Sequence, residues 1–185
     1  MDAAATTPID TEAASRLLKS IDPAQVGTAI SKLISASIGD MVVVLSRSPA
    51  HKHYSLANIE WMVLPPVVAG QFYIVEAADK THGFRAPVAA ATWALVSEEV
   101  DAQLQKPAAA PRRLRPDQWR SGTIGWLIDA VGDPQGVRNA FEWLAAGPFK
   151  EQPLKMTVRG ADGAAVLTDL RTLLAQSQAL QSKTG

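Results

Sequence analysis

Histidine is the side chain best suited to proton transfer near neutral pH, and the chain contains three, His51, His53 and His82. His51 and His53 closely follow Ser48-Pro49, and they would need a third ligand to hold a metal, because a His-x-His pair alone is a weak signal. His82 lies in a polar turn, where a solvated side chain is the simplest interpretation. We therefore predict no metal site and consider His51 the candidate for acid–base chemistry.

Asp129 is the single acid in the otherwise apolar segment 125–131. A buried carboxylate must be paired or hydrogen-bonded, because burial without a partner is costly. Asp129 therefore needs a partner, and a histidine would serve. From the residues alone, a structural role for this carboxylate is as plausible as a catalytic one.

Composition and charge exclude several functional classes. The chain has 185 residues, which suits one domain, and its 18 basic residues balance its 18 acidic residues. No overall field therefore draws it to nucleic acid or to an anionic membrane. The lack of cysteine excludes disulfides, thiolate zinc sites and thiol nucleophiles, and it fits a reducing, cytoplasmic location. Neither a secretory signal pattern nor an uninterrupted run of about 18 apolar residues is present, so we expect no membrane span.

The elements that position His51 and Asp129 can be predicted from the helical and strand-like patterns along the chain. Apolar residues recur at spacings of three and four over residues 26–45, which predicts a helix that starts at Asp22-Pro23 and breaks at Gly39-Asp40. Predicted strands cover residues 59–64, 71–77, 87–96, 125–131, 154–159 and 164–167, and further helices cover 97–106, 137–146 and 168–178.

This order of elements indicates one α+β domain with a mixed, mostly antiparallel sheet flanked by helices. We expect an N-terminal extension over residues 1–36, partly disordered and then helical, a main domain over 37–178 and a flexible tail over 179–185. A Pro/Ala/Arg-rich stretch at 107–116 lies inside the domain as a loop, where a tolerated insertion is a simpler interpretation than a lid.

Four short blocks resemble the toxin-activating lysine acyltransferases that modify RTX haemolysins. The segment SPAH at 48–51 resembles the family's Ser-Pro-x-His motif. The blocks that follow occur in the family's order with near-identical gaps, and they are LPPV at 64–67 with GQF at 70–72, PVA at 87–89 with Trp93-Ala94, and Trp119-x-Ser121-Gly122 with Trp126-x-Ile128-Asp129. Thr123 and Ile124 replace the acidic and basic residues that the family has there, so the chain resembles a divergent member.

The resemblance implies a GNAT-like fold and transfer of a fatty acyl group from acyl carrier protein to lysine ε-amines of an RTX-type protoxin or other secreted protein. His51 would act as the general base, Asp129 would orient it, and Ser48 belongs to the same catalytic motif. No cofactor would be bound, since acyl carrier protein is a co-substrate. The family also suggests a homodimer.

Two further groups of residues are candidates for binding. Phe72, Trp93 and Trp126 are candidates for an acyl groove, although a simple core role is commoner for such aromatic residues. Arginines in the loop before the fourth strand are candidates for docking an acidic carrier protein, although a solvated loop is the commoner case, and they are Arg112, Arg113, Arg115 and Arg120.

Two alternatives stay open. One is an acyltransferase of the same fold that modifies a different amine or a hydroxyl, for which acyl-CoA would be the donor to consider. The other is a non-catalytic binding module. The absence of an evident Gly-rich phosphate loop argues against CoA, and the presence of both His51 and Asp129 argues against a module without chemistry.

Overall fold

The structure, a computed structural model, describes residues 22–78, 83–106, 113–160 and 163–181. His82 and Arg112 lie outside these ranges, as do the predicted start of the N-terminal extension and the last four residues of the predicted tail. Contacts divide the chain into two units between Ala36 and Ser37, and every residue of the candidate site described below belongs to the second unit. The domain bounds proposed from the sequence stay a prediction.

The first described helix, α1, spans Pro23–Arg47 without interruption. Its start agrees with the sequence pattern, because the Asp22 carboxylate accepts a hydrogen bond from the backbone N–H of Ala24 at 3.0 Å. The predicted break at Gly39-Asp40 is wrong. Met41 and Val44 are buried just beyond it, so packing carries the helix past a glycine whose intrinsic cost is only about 1 kcal/mol.

The length and composition of α1 bear on the prediction that the chain has no membrane span. Within the described residues, this helix alone is long and apolar enough to cross a membrane, with a mean hydropathy of 1.6 over its most apolar window, of which 17% is buried. It also carries the charged residues Lys32, Asp40 and Arg47. Length and composition of this kind are shared by core helices and by signal sequences, so they do not establish a span.

The segment after α1 is helical, and the strand predicted at 59–64 is wrong. A 3-10 turn at Leu56–Asn58 leads into α2 (Ile59–Met62) and α3 (Leu64–Ala69). Prolines occupy the first turn of α3, where the missing N–H would have no helical partner anyway. Gly70 ends the helix in the left-handed region with a φ of 65°.

The sheet has five strands in the order β1-β2-β3-β4-β5, and it confirms the predicted fold class. Neighbouring strands are antiparallel except β3 and β4, which are parallel and pair only at Gly125 with Leu154 and at Trp126 with Lys155. This mixed sheet flanked by helices is consistent with a GNAT-like domain. The strands are β1 (Phe72–Ala78), β2 (Arg85–Val96), β3 (Ile124–Gly132), β4 (Leu154–Arg159) and β5 (Ala165–Asp169).

The remaining helices are α4 (Glu98–Leu104), α5 (Pro134–Ala146) and α6 (Leu170–Gln181), with a 3-10 turn at Pro116–Gln118. On one sheet face, α5 and α6 cover a core that includes Ala91, Trp93, Leu127, Leu144 and Leu154. On the other face, a separate cluster includes Ala94, Val96, Val100, Trp119 and Trp126. The faces of β2 and β3 therefore have distinct partners, which decides where Asp129 points.

Candidate active site

His51 lies in the tight turn that ends α1. The backbone N–H groups of His51 and Lys52 donate to the carbonyl of Ser48 at 3.1 and 2.9 Å, and the N–H of Tyr54 donates to the carbonyl of His51 at 2.8 Å. Pro49 within this turn cannot continue a helix, because it lacks the N–H that a helix interior requires. The turn therefore holds the imidazole on a short, hydrogen-bonded piece of backbone.

Asp129 reaches the site because of a β-bulge. Leu127 pairs with Trp93 and Asp129 pairs with Thr92, so Ile128 is an extra residue on β3. Leu127 and Ala130 both pack on the α5 face although they are three residues apart, which regular alternation would not allow. Without the extra residue, Asp129 would share the face of Leu127, so the bulge turns its carboxylate to the opposite side of the sheet.

The structure brings Ser48, His51 and Asp129 into one hydrogen-bonded row. The distance from His51 Nε2 to Asp129 Oδ2 is 3.1 Å, and the distance from His51 Nδ1 to Ser48 Oγ is 2.9 Å. The contact expected between His51 and Asp129 is therefore present. A carboxylate only accepts, so Nε2 carries the proton and the lone pair of the neutral ring lies on Nδ1, where the Ser48 hydroxyl donates.

Electrostatics favour the protonated form of His51. The hydrogen bond to Asp129 raises the pKa of the imidazole above its usual value, burial opposes that shift, and the charge of Asp129 adds to it. The side chains are 15% exposed for His51 and 29% exposed for Asp129. The pair is therefore partly shielded from water and still open at the surface.

A small cleft of about 110 Å³ opens beside His51. Tyr54 stands edge-on to the imidazole with ring centroids 5.4 Å apart, and Lys52 also lines the cleft. Neither residue was predicted from the sequence to have a function. The only available signal was their position within three residues of His51, and spacing alone does not separate a cleft residue from a solvated one.

The three aromatic candidates for an acyl groove occupy different surroundings. Trp93 and Trp126 are 6% and 3% exposed and belong to separate core clusters, and the Trp126 indole donates to Asp101 Oδ1 at 2.7 Å. Phe72 is half-buried and pairs with Thr92, which also pairs with Asp129. Phe72 therefore lies in the same cross-strand row as the acid, and the groove role of all three stays a prediction.

The described arginine candidates make local contacts. Arg113 lies over the Trp61 ring at 4.8 Å from its centroid, and Arg115 forms a salt bridge with Asp117 at 3.0 Å. The backbone of Arg120 pairs with the backbone of Leu95 in an isolated parallel β-bridge. The ion pair between Arg115 and Asp117 is weak because both side chains are exposed to solvent. The Arg115 guanidinium can therefore still be reached by a partner. Carrier docking at these residues stays a prediction.

Other residues of the matched blocks have structural contacts. Trp119 is 2% exposed, and the Ser121 hydroxyl accepts a hydrogen bond from the backbone N–H of Ser97 at 2.9 Å at the start of α4. A Cβ at Gly122 would lie 2.4 Å from the carbonyl oxygen of Val96, so no larger residue fits there. Among the described residues, no group of three or more His, Cys, Asp or Glu side chains could hold a metal ion.

A histidine paired with a carboxylate, with a hydroxyl at its second nitrogen, is chemically able to accept and return a proton. The chain belongs to the RTX toxin acyltransferase family, which it matches over residues 32–168, and it is an acyltransferase. It is also similar to the lysine-acyltransferase RtxC of Vibrio cholerae serotype O1, with 32% identity over 132 residues that cover 69% of this chain and 79% of the relative.

Proposed function

We propose that the protein transfers a fatty acyl group to lysine ε-amines of an RTX-type protoxin or another secreted protein, with His51 as the general base. The observation that supports this most directly is the row of Ser48, His51 and Asp129. The relative RtxC is named a lysine-acyltransferase, which favours a lysine acceptor. A lysine amine has a reference pKa of about 10.4, so it is mostly protonated at neutral pH and needs help to become a nucleophile.

The neutral imidazole would take at Nδ1 the proton that the amine loses as it attacks the thioester. Since Ser48 Oγ lies 2.9 Å from this nitrogen, the hydroxyl either turns aside for the amine or relays the proton, receiving one as it gives one. Asp129 holds Nε2–H in place and stabilises the imidazolium that forms. Such general base catalysis is worth about 10²- to 10⁴-fold in rate.

The bonds change at the thioester carbon of the acyl donor. The lysine ammonium first releases one proton to solvent. The neutral amine nitrogen then attacks this carbon, and the new N–C bond forms as the amine passes a second proton to His51. The C–S bond then breaks, and the departing thiolate takes a proton from the imidazolium, which returns the enzyme to its starting state. The products are an amide on the lysine and a free thiol on the carrier, so atoms and charge balance.

We propose acyl carrier protein as the donor, which would place the reaction in the cytoplasm. The exposed guanidinium of Arg115, the stacked guanidinium of Arg113 and the side chain of Arg120 form the described part of the basic surface that an acidic carrier would meet. Arg112 belongs to the proposed surface by sequence. Phe72 is the best placed of the aromatic candidates to contact the acyl chain, because it shares a row with Asp129.

The donor is tested by parallel assays with acyl carrier protein and with acyl-CoA, each at low and at moderate salt. We expect transfer from the carrier protein to be faster, and to slow as salt screens charges over roughly 10 Å at about 0.1 M. Mass spectrometry of the acceptor identifies the acylated lysine. Equal rates with both donors would contradict the carrier proposal, and acylation of a hydroxyl would contradict the lysine proposal.

A further inference from the structure

The cleft beside His51 has walls that present carbon rather than polar atoms. Its apolar lining comes from the end of α1 and from the segment that begins α2, and consists of Val42, Leu45, Leu56, Ile59 and Met62. Three uncharged polar side chains in the walls, Ser46, Ser55 and Asn58, already have partners. Ser46 donates to the carbonyl of Val43 at 2.8 Å, while Asn58 donates to Ser55 at 3.2 Å and accepts from the Trp61 indole at 3.0 Å. The cleft is therefore suited to an aliphatic group.

The volume of the cleft limits what can enter. It measures about 110 Å³, which is room for a short aliphatic segment. A lysine side chain has four methylenes between its Cα and its amine. The cleft therefore matches a lysine stem better than a long fatty chain, and we place the fatty chain outside it.

We propose that this cleft is the acceptor subsite, which takes the aliphatic stem of the target lysine and delivers its ε-amine to His51. The inference rests on the proposed function and adds the place where the acceptor binds. The stem would lie between Ile59 and Met62, and the amine would emerge at the imidazole, which lines the same cleft. The acyl donor then approaches from outside the cleft, so acceptor and donor have separate binding sites.

Lys52 gives this subsite its electrostatic character. The titratable side chains that line the cleft are His51, Lys52 and Tyr54, and the lining residues of α1 and α2 carry no charge. The Asp129 carboxylate lies behind the imidazole and is paired with it. A cation near the bound amine disfavours its protonated form, so Lys52 lowers the pKa of the acceptor lysine in the complex. At an exposed position and a separation of a few ångströms, this is worth about a fivefold change.

The subsite is tested by narrowing it. Met62→Phe places a larger side chain in the cleft, and Val68→Phe adds the same ring at a residue that is 67% exposed and outside the lining. A peptide with a single lysine is the acceptor, and a second peptide carries ornithine, which is one methylene shorter. We expect Met62→Phe to raise the KM for the lysine peptide about tenfold, to leave the KM for the donor unchanged and to reduce the roughly fourfold preference for lysine over ornithine. Val68→Phe should change none of these values.

Each outcome separates the subsite from the proposed function. An altered donor KM or chain-length preference in Met62→Phe would mean that the cleft holds the acyl chain, and unchanged constants in a folded Met62→Phe protein would mean that it holds neither substrate. Either result overturns the subsite while His51-dependent transfer persists. Failure of the proposed function would instead appear as full transfer by His51→Ala, whatever the cleft variants do.

A second measurement tests Lys52 through the pH dependence of kcat. In Lys52→Gln we expect the alkaline rise of kcat to move to higher pH and kcat at neutral pH to fall about fivefold, because the bound amine then keeps its proton more tightly. Lys52→Arg should retain the wild-type profile, and Lys150→Gln, which alters an exposed lysine paired with Glu151, should have no effect. A wild-type profile in Lys52→Gln would remove this residue from the subsite.

Discussion

Two carboxylates on the same side of the sheet, Asp101 and Asp129, have opposite surroundings. Asp101 accepts hydrogen bonds from Lys155 at 2.8 Å, from the Trp126 indole at 2.7 Å and from Gln105 at 2.7 Å, and its side chain is 12% exposed. Among the described residues, the side chain paired with Asp129 is the imidazole of His51, and Asp129 is 29% exposed.

The difference separates an acid with structural contacts from the acid that we propose to be reactive. The donors to Asp101 lie just after α4, on β3 and on β4, so this carboxylate links three elements. Because these donors satisfy it, Asp101 has little freedom to change partner. Asp129 is paired with a group that titrates near neutral pH, at the edge of an open cleft. Charge and burial alone would have favoured Asp101, whereas the kind of partner identifies the acid of the proposed site.

We expect the largest effect on the transfer rate from a change at the His51–Asp129 pair. We expect His51→Ala to lower the transfer rate by about 10³-fold or more, because the proton acceptor is lost while the turn that holds it is stabilised by backbone hydrogen bonds. Acylated lysine measured by mass spectrometry gives the rate, and circular dichroism reports the fold. His53→Ala is the matched control and should retain nearly full activity, while wild-type turnover by His51→Ala would overturn the mechanism.

Asp129→Asn should lower kcat by about 10²-fold, which is less than the loss expected for His51→Ala, because the base remains but is held less well. The same change should move the acidic limb of the pH profile to lower pH, because the hydrogen bond that His51 donates to Asp129 raises the pKa of His51 in the wild type. An unmoved limb would mean that Asp129 does not tune the imidazole. A pH series of initial rates measures both quantities.

Asp101→Asn should act on stability instead. Burial raises the pKa of Asp101, but hydrogen bonds from Lys155, Trp126 and Gln105 outweigh it and lower the net pKa. The charged carboxylate therefore stabilises the fold above the ordinary pKa of about 4, and this contribution is lost as pH falls through the lowered value. We expect a loss of about 2 kcal/mol at pH 7 by urea unfolding, with kcat of the folded protein unchanged. A large fall in kcat would contradict the structural role.

The comparison also shows what sequence could and could not supply. The positions of the five strands along the chain were predictable from apolar runs and turn residues, and Asp129 was conspicuous as an acid in an apolar segment. The bulge at Ile128 was not predictable, because it depends on how β3 packs against β2. Nor was the helix at Ile59–Met62, because a short, nearly continuous apolar run resembles a buried strand, although the prolines that follow it lie in the first turn of the next helix.

The smallest predicted effect concerns the stability of the His51–Asp129 pair itself. The pKa of His51 is raised in the folded protein, so the charged pair stabilises the fold fully below the unfolded histidine value of 6.5, and this contribution is lost as pH rises through the raised value. Because both side chains are partly exposed, we expect no more than about 1 kcal/mol.

Urea unfolding of wild type and Asp129→Asn, each at pH 5.5 and at pH 9, measures this contribution. The difference between the two proteins should be larger at pH 5.5, where His51 carries its proton in both the folded and the unfolded chain. Asp101→Asn provides the contrast, because its deficit relative to wild type should be the same at both pH values, both of which lie above the range in which Asp101 titrates. A deficit for Asp129→Asn that is independent of pH would mean that Asp129 acts on the fold as Asp101 does, and the distinction between the two acids would fail.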